Sequence, residues 1–340
     1  MKFLIIGCGS MGRRRARCLH SLGYRDILAV DIQEERRREM TSELGVETCG
    51  DLEVALQKQP DFALICLPPH RHYDALLRLI AARVPAFCES PLVMTLEQAD
   101  EVIARSEEAG VFVAPSMTYL HNAIHLKVAE ILRDGTLGKP LAAISHAGQH
   151  VADWHPYEDY RHFYASKRAE GGMCFDMLPH EFHLFTHLFG SAKALTCMAR
   201  RRCETIETDP GACDVYDVLL DMASGVSLMV HEDMFQRPFN VYRRIMCEEG
   251  AIEWNWHTLR VCEYGASQFP ASADWRTVEL KAYDFEQMYV AEIGHALNSL
   301  RGEEVYGMPP RRERDILRLV LACEASSASG RQLELQEREV

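Results

Sequence analysis

Hydrophobic and polar positions alternate in blocks along the first third of the chain. Phe3-Leu4-Ile5-Ile6, Ile27-Leu28-Ala29-Val30, residues 62–67, Ala86-Phe87-Cys88 and residues 111–114 are short apolar runs. Such runs predict strands buried on both faces. Amphipathic stretches over 11–22, 34–44, 73–82 and 96–109 predict helices between them. Strands alternating with helices imply a parallel, doubly wound sheet.

The pattern changes after about Ser116. A helix over 123–133 ends at Asp134-Gly135, a good left-handed stop. Residues 141–146, 196–201, 216–222, 226–231, 244–247, 252–256 and 259–264 then read as strands, several alternating apolar with polar side chains. Alternation of that kind belongs to a sheet with one solvated face. Helical patterns over 285–300 and 312–326 close the chain, and there is no internal repeat. The expected division is residues 1–118, an α/β domain, and residues 119–340, an α+β domain with a largely antiparallel open sheet.

Gly7-Cys8-Gly9-Ser10-Met11-Gly12 is GxGxxG, set directly after a strand and opening a helix. Asp31 ends the next strand, 19 residues beyond Gly12. In that context the motif is a dinucleotide-binding fingerprint and the first domain reads as a Rossmann fold. Its glycines permit the turn, the approach of a pyrophosphate and close helix packing, while the helix N-terminus offers free N–H groups to phosphate. Gly7, Gly9, Ser10, Met11, Gly12 and Asp31 are therefore candidate cofactor residues. A carboxylate at Asp31 suits ribose hydroxyls and repels a 2′-phosphate, so NAD(H) is favoured over NADP(H). Arg13, Arg14 and Arg15 nearby are in a position to offset part of that repulsion.

Charge narrows the partners. The 340 residues carry a net charge of -13, which disfavours a nucleic-acid surface. No apolar run approaches a membrane span. The N-terminus is apolar only to Ile6 and then turns glycine- and arginine-rich, unlike a secretory signal. The 12 cysteines form no CxxC pair, consistent with reduced core thiols in a cytoplasmic protein. His183 and His187 share a helical face, but "HEFH" is not HExxH and no metal is expected.

Several further segments together resemble the glucose–fructose oxidoreductase / inositol dehydrogenase / MocA family. They are "GCGSMGRR", Cys66-Leu67-Pro68-Pro69-His70-Arg71-His72, "CESPL", "ILRDGTLGKP", "EGGMCFDMLPHEFHLFTHLFG", "GAIEW" and "MYVAEIGHALNSLRG". The resemblance covers nearly the whole chain. It implies hydride transfer between nicotinamide and a hydroxyl-bearing carbon of a sugar, amino sugar, sugar nucleotide or cyclitol, commonly in a homodimer or homotetramer. It places Cys66, Leu67 and Pro68 under the nicotinamide-side ribose, with His72 opening the next helix. It sets Glu89 and Ser90 beside the nicotinamide.

Asp176 and His180 are four apart, so on a helix they share a face. Histidine titrates near neutrality and serves as base for alcohol oxidation or acid for ketone reduction. By the resemblance, His180 is the proton-transfer residue and Asp176 its partner. Pro179 between them marks a kink or a first turn. The aromatic segment 154–167 offers Tyr157, Tyr160, Arg161 and Tyr164 as substrate contacts, with His183 beyond, or else it is an ordered surface loop or a dimer contact.

One position breaks the family pattern. Where the family has Glu-Lys-Pro, this chain has Glu89-Ser90-Pro91. The resemblance gives that lysine contact with the reacting hydroxyl. Serine supplies one donor and no charge, and losing a charged donor at a reacting oxygen costs ~100-fold or more in rate. Four outcomes stay open: His180 works unaided, Lys167 or Arg161 fills the gap, NAD serves a different reaction, or the chain binds cofactor with little turnover.

Overall fold

The computed structural model describes residues 1–156, 158–264, 274–280 and 284–335; Tyr157 lies outside them. The chain forms two compact units. The first comprises Met1–Thr118 with Glu286–Arg318, the second Tyr119–Phe285 with Leu319–Val340. This differs from the expected 1–118/119–340 division, because Glu286–Arg318 returns to the first unit. The physical reason is Glu292. Its carboxylate accepts from Ser116 Oγ, Met117 N and Thr118 Oγ1 at 2.9, 2.6 and 2.9 Å.

The first unit contains six parallel strands: β1 (Phe3–Ile6), β2 (Ile27–Val30), β3 (Glu47–Cys49), β4 (Phe62–Ile65), β5 (Ala86–Cys88) and β6 (Val113–Pro115). Their order is β3-β2-β1-β4-β5-β6. Phe3, Leu4, Ile5, Phe62 and Phe87 are fully buried, as continuous apolar runs require. The helices are α1 (Ser10–Ser21), α2 (Glu34–Leu44), α3 (Leu52–Leu56), α4 (His72–Ala81) and α5 (Leu96–Ala109). Asp51 and Thr95 cap α3 and α5 with side-chain bonds to backbone N–H groups. The strand β3 was not expected: its three residues are exposed or half-buried and carry no apolar run.

The second unit opens with α6 (Ala123–Asp134), capped by Asn122 and stopped at left-handed Gly135. Then come β7 (Pro140–Gly148), α7 (Gly172–Phe189), β8 (Ala192–Arg200), β9 (Val215–Met222), β10 (Ser227–Asp233) and β11 (Asn240–Cys247). The sheet continues with β12 (Gly250–Trp254), β13 (Leu259–Glu263), β14 (Arg276–Thr277) and, near the C-terminus, β15 (Leu333–Glu334). Helices α8 (Gln287–Leu300) and α9 (Pro310–Ser329) precede β15, and the division between units falls within α9.

The nine strands run β14-β13-β12-β11-β7-β10-β9-β8-β15. The β7/β10 pair is parallel and the other pairs are antiparallel. One face is dry, with Ala143, Ser145, Val218, Leu220, Val230 and Ile245 all buried. The alternate positions Met198, Leu219, Met229 and Tyr242 are large and exposed, so the second face is open and unusually apolar. Among the described residues, no helix is long and apolar enough to cross a membrane.

Candidate functional site

In the first unit, strand order reverses between β1 and β4, the place where open α/β sheets bind ligands. The glycine loop leaves β1 there. Gly7 has φ +103°, and a Cβ on it would meet the Cys66 carbonyl oxygen at 2.5 Å. A Cβ on Gly12 would fall 1.9 Å from the Gly7 oxygen. Gly9 has open space, apart from Arg36 at 3.6 Å. Two glycines thus serve packing and the middle one leaves the backbone accessible. The α1 helix begins at Ser10 without a side-chain cap, so its first-turn N–H groups remain available to an anion.

Asp31 follows β2 at the same sheet edge. Its Oδ2 accepts from Cys8 N at 2.9 Å and its Oδ1 from Gln33 N at 2.8 Å, which fixes the carboxylate beside the loop. The neighbouring Ile32 is 86% exposed, a bare apolar surface. The arginines named as possible offsets are engaged. Arg13 pairs with Glu39 and Arg14 with Glu286, while Arg15 binds Glu89 and Glu292. The Arg37 guanidinium donates to the Asp31 carbonyl at 2.7 Å.

The elbow after β5 is tied into the first unit. Glu89 takes two bonds from fully buried Arg15, at 2.6 and 3.0 Å. Burial, with Glu292 close by, holds the Glu89 carboxyl above its usual range despite that guanidinium. Ser90 Oγ donates to Glu313 at 3.0 Å, and Leu92 N donates to the same oxygen at 3.4 Å. The Ser90–Pro91 peptide is cis. His72 lies within bonding distance of two carbonyl oxygens, Pro91 at 2.8 Å and Leu67 at 2.7 Å. It is fully buried, and burial lowers its pKa. This corrects the expectation that His72 touches cofactor: it clamps the two loops that flank the site. Cys66, Leu67 and Pro68 stay half-buried at the end of β4.

In the second unit, α7 carries Asp176 and His180 through an unbroken run that includes Pro179. Tyr164 donates a hydrogen bond to Asp176. Burial pushes the Asp176 carboxyl up to about 6, against the lowering effect of that phenol. His180 is half-buried and stacks on Tyr119, centroids 5.0 Å apart. Beneath lies a charged core: Arg243 pairs with Glu181, and Ser145 donates to Glu181 at 2.6 Å. The Arg243 guanidinium lies over the Tyr119 and Trp256 rings at 5.5 and 5.1 Å. Together with burial, it pushes His125 down to about 3, leaving that ring neutral.

The other second-unit candidates are less free than the sequence suggested. Lys167 Nζ donates to Glu170 at 3.1 Å. Arg161 grips Asp159 at 2.6 Å and is exposed. Tyr160 accepts at its hydroxyl from Glu207 N at 3.2 Å. His183 is fully buried, edge-on to His180 at 6.4 Å, which corrects its place among substrate contacts. Tyr119, Arg243, Glu292 and Glu313 were missed, because their partners come from distant segments. Arg15 carried a signal: it shares a helical stripe with Gly12, Ala16 and Leu19, all buried.

Residues 1–117 match the oxidoreductase family with NAD-binding Rossmann fold, and residues 125–253 match the GFO/IDH/MocA C-terminal domain. Myo-inositol 2-dehydrogenase of Thermotoga maritima is 28% identical over 193 residues, 56% of this chain and 55% of that protein. That match therefore spans about half of the relative's length. D-apiose dehydrogenase of Paraburkholderia graminis is 26% identical over 364 residues, 99% of this chain and 90% of the relative. An oxidoreductase from Agrobacterium radiobacter, solved with NAD+, L-tartaric acid and magnesium, shares the fold at TM-score 0.83. Its identity is 18%, over 98% of both chains. With family matches running through both halves of the sequence, the chain belongs to the GFO/IDH/MocA oxidoreductase family.

Proposed function

We propose that this protein is an NAD(H)-dependent oxidoreductase acting on a hydroxyl-bearing carbon of a sugar, amino sugar, sugar nucleotide or cyclitol. The observation that carries the reading is the glycine loop against Asp31, where a Cβ at Gly7 or Gly12 has no room. Gly7, Gly9, Ser10, Met11 and Gly12 would hold the pyrophosphate. Asp31 would take the adenosine ribose hydroxyls, and Ile32 gives the adenine an apolar rest. Cys66, Leu67, Pro68, Glu89 and Ser90 would frame the nicotinamide-side ribose. Because Arg13, Arg14 and Arg15 are each paired with carboxylates elsewhere, Asp31 keeps its repulsion for a 2′-phosphate, supporting NAD(H) over NADP(H).

When bound, the nicotinamide supplies or accepts the hydride. His180 takes the hydroxyl proton during oxidation and returns it during reduction. Asp176, with Tyr164 on its carboxylate, would orient the His180 ring. The relatives named above are dehydrogenases of inositol and apiose, which supports a small polyhydroxylated substrate. The open sheet face supports assembly as a homodimer or homotetramer, and the free cysteines support a reducing, cytoplasmic setting.

The test is NADH binding by fluorescence, then turnover on cyclitols and pentoses. His180→Ala is expected to lose ~100-fold or more in kcat with NADH affinity unchanged. Full activity in that variant, or failure of the wild-type chain to bind NADH, overturns the reading.

A second reading has one observation in its favour: the Ser90 hydroxyl is committed to Glu313, and Lys167 and Arg161 both pair with carboxylates. In that reading the chain binds NAD with lost or altered catalysis. Ser90→Lys separates the two. A steep rise in turnover at unchanged NADH affinity favours the second reading, and a fall favours the first.

A further inference from the structure

The open face of the second unit's sheet carries a polar row at one end. Strand register places Tyr242, His146, His231 and Asp217 side by side on β11, β7, β10 and β9. The imidazoles of His146 and His231 stack with centroids 4.7 Å apart and planes within 5°. Asp217 Oδ1 bonds His231 Nδ1 at 2.7 Å, which turns Nε2 toward Asp233 Oδ2 at 3.2 Å.

Asp233 is held for this contact. Its Oδ1 accepts from Phe235 N and Gln236 N at 3.1 and 2.8 Å, and its side chain is only 1% exposed. Beside it on β7, a Cβ at Gly148 would fall 2.3 Å from Asp233 Oδ2. The glycine empties space that the carboxylate fills. His146 Nε2 meets Gln236 Oε1 at 3.0 Å. Ligand atoms of His146, His231 and Asp233 all lie within 4.8 Å of one another.

We propose that His146, His231 and Asp233 form a binding site for a divalent transition metal of the zinc type. Two imidazole nitrogens and one carboxylate oxygen are a donor set that such ions favour. The second layer is present as well: Asp217 fixes the proton on His231 Nδ1 and raises the basicity of Nε2. Tetrahedral zinc with bonds of about 2.0–2.1 Å needs donor separations near ~3.3 Å. Reaching that spacing would require the His146 ring to turn off Gln236, and the fourth position would be left to the Gln236 amide oxygen or a water. The metal would tie β7 to β10 and both to the turn at 234–236. None of this rests on the dinucleotide site.

The experiment uses the full chain, stripped with chelator and dialysed, then titrated with cobalt(II). The expected result is about one retained cobalt per chain with tetrahedral visible absorption, displaced by zinc, and a raised Tm. His231→Gln and His146→Gln should each weaken retention by roughly tenfold or more, and Asp217→Asn by less. NADH binding and circular dichroism report that the variants fold. Should His231→Gln not fold, His146→Gln decides alone. No retained metal, or equal retention by the histidine variants, overturns the proposal and leaves the row bridged by a proton.

Discussion

Ser90 shows how one side chain can change a site without loosening it. Its hydroxyl and Leu92 N share one oxygen of Glu313, so the elbow is anchored by hydrogen bonds to a buried carboxylate. Ser90→Ala should therefore cost about 1–3 kcal/mol in urea denaturation, since it removes a bond to a charged group. An unchanged midpoint would contradict the anchoring role. Asp176 gives a pH-dependent counterpart. Its carboxyl rises from 3.8 unfolded to about 6 folded, because burial disfavours charge. The stabilisation from its protonated form is fully present below the unfolded pKa and disappears as pH rises through about 6. Asp176→Asn should match the wild type near pH ~4 and exceed its stability near pH ~8, by at most about 3 kcal/mol. A difference independent of pH would refute this. Asp176 and His180 were singled out by their four-residue spacing together with the family resemblance. Tyr119 and Arg243 were not, because an aromatic or an arginine declares a role only through partners the chain brings from elsewhere.

At the scale of elements, α1 does two jobs on one stripe. Gly12 lets it sit against the Gly7 carbonyl, and Arg15 one turn later joins β5's elbow to α8 through Glu89 and Glu292. Gly12→Ala should lower NADH affinity at least ~tenfold, because a Cβ forces the helix N-terminus away from the phosphates. Arg15→Leu should cost about 3–5 kcal/mol, since two carboxylates lose their buried counter-charge. Calorimetry of the two variants separates a cofactor effect from a stability effect. Most strands and helices were readable because burial on one or two faces leaves a period in the sequence. The exceptions follow the same logic. β3 has no buried face, β8 begins with Ala192, Lys193 and Ala194, too little apolar bulk to show a period, and the unpredicted α3, β14 and β15 are only two to five residues long. Pro179 was read as a kink or first turn, yet it lies inside α7, where the cost of a missing N–H is met by packing along a helix that is largely buried.

For the molecule as a whole, the open sheet face sets the expectation of self-association. Ile144, Leu219, Met229 and Met246 line a shallow hollow of about 470 Å³ on it. Leu219→Glu should shift the chain toward monomer in light scattering while leaving its Tm within a few degrees, because that side chain is already 53% exposed. A wild-type monomer would end this expectation. The sequence revealed two folds but not how the chain is shared between them, since the partition depends on where Glu292 finds its donors. That sharing bears on biosynthesis. Ser116 and Glu292 lie 176 residues apart, so the ribosome delivers the glycine loop and five helices long before their closing carboxylate. A fragment ending at Thr118 would expose Arg15 with Glu89 alone, and should remain loosely ordered and protease-sensitive. The first unit is begun early and stays incomplete until Glu286–Arg318 has been made.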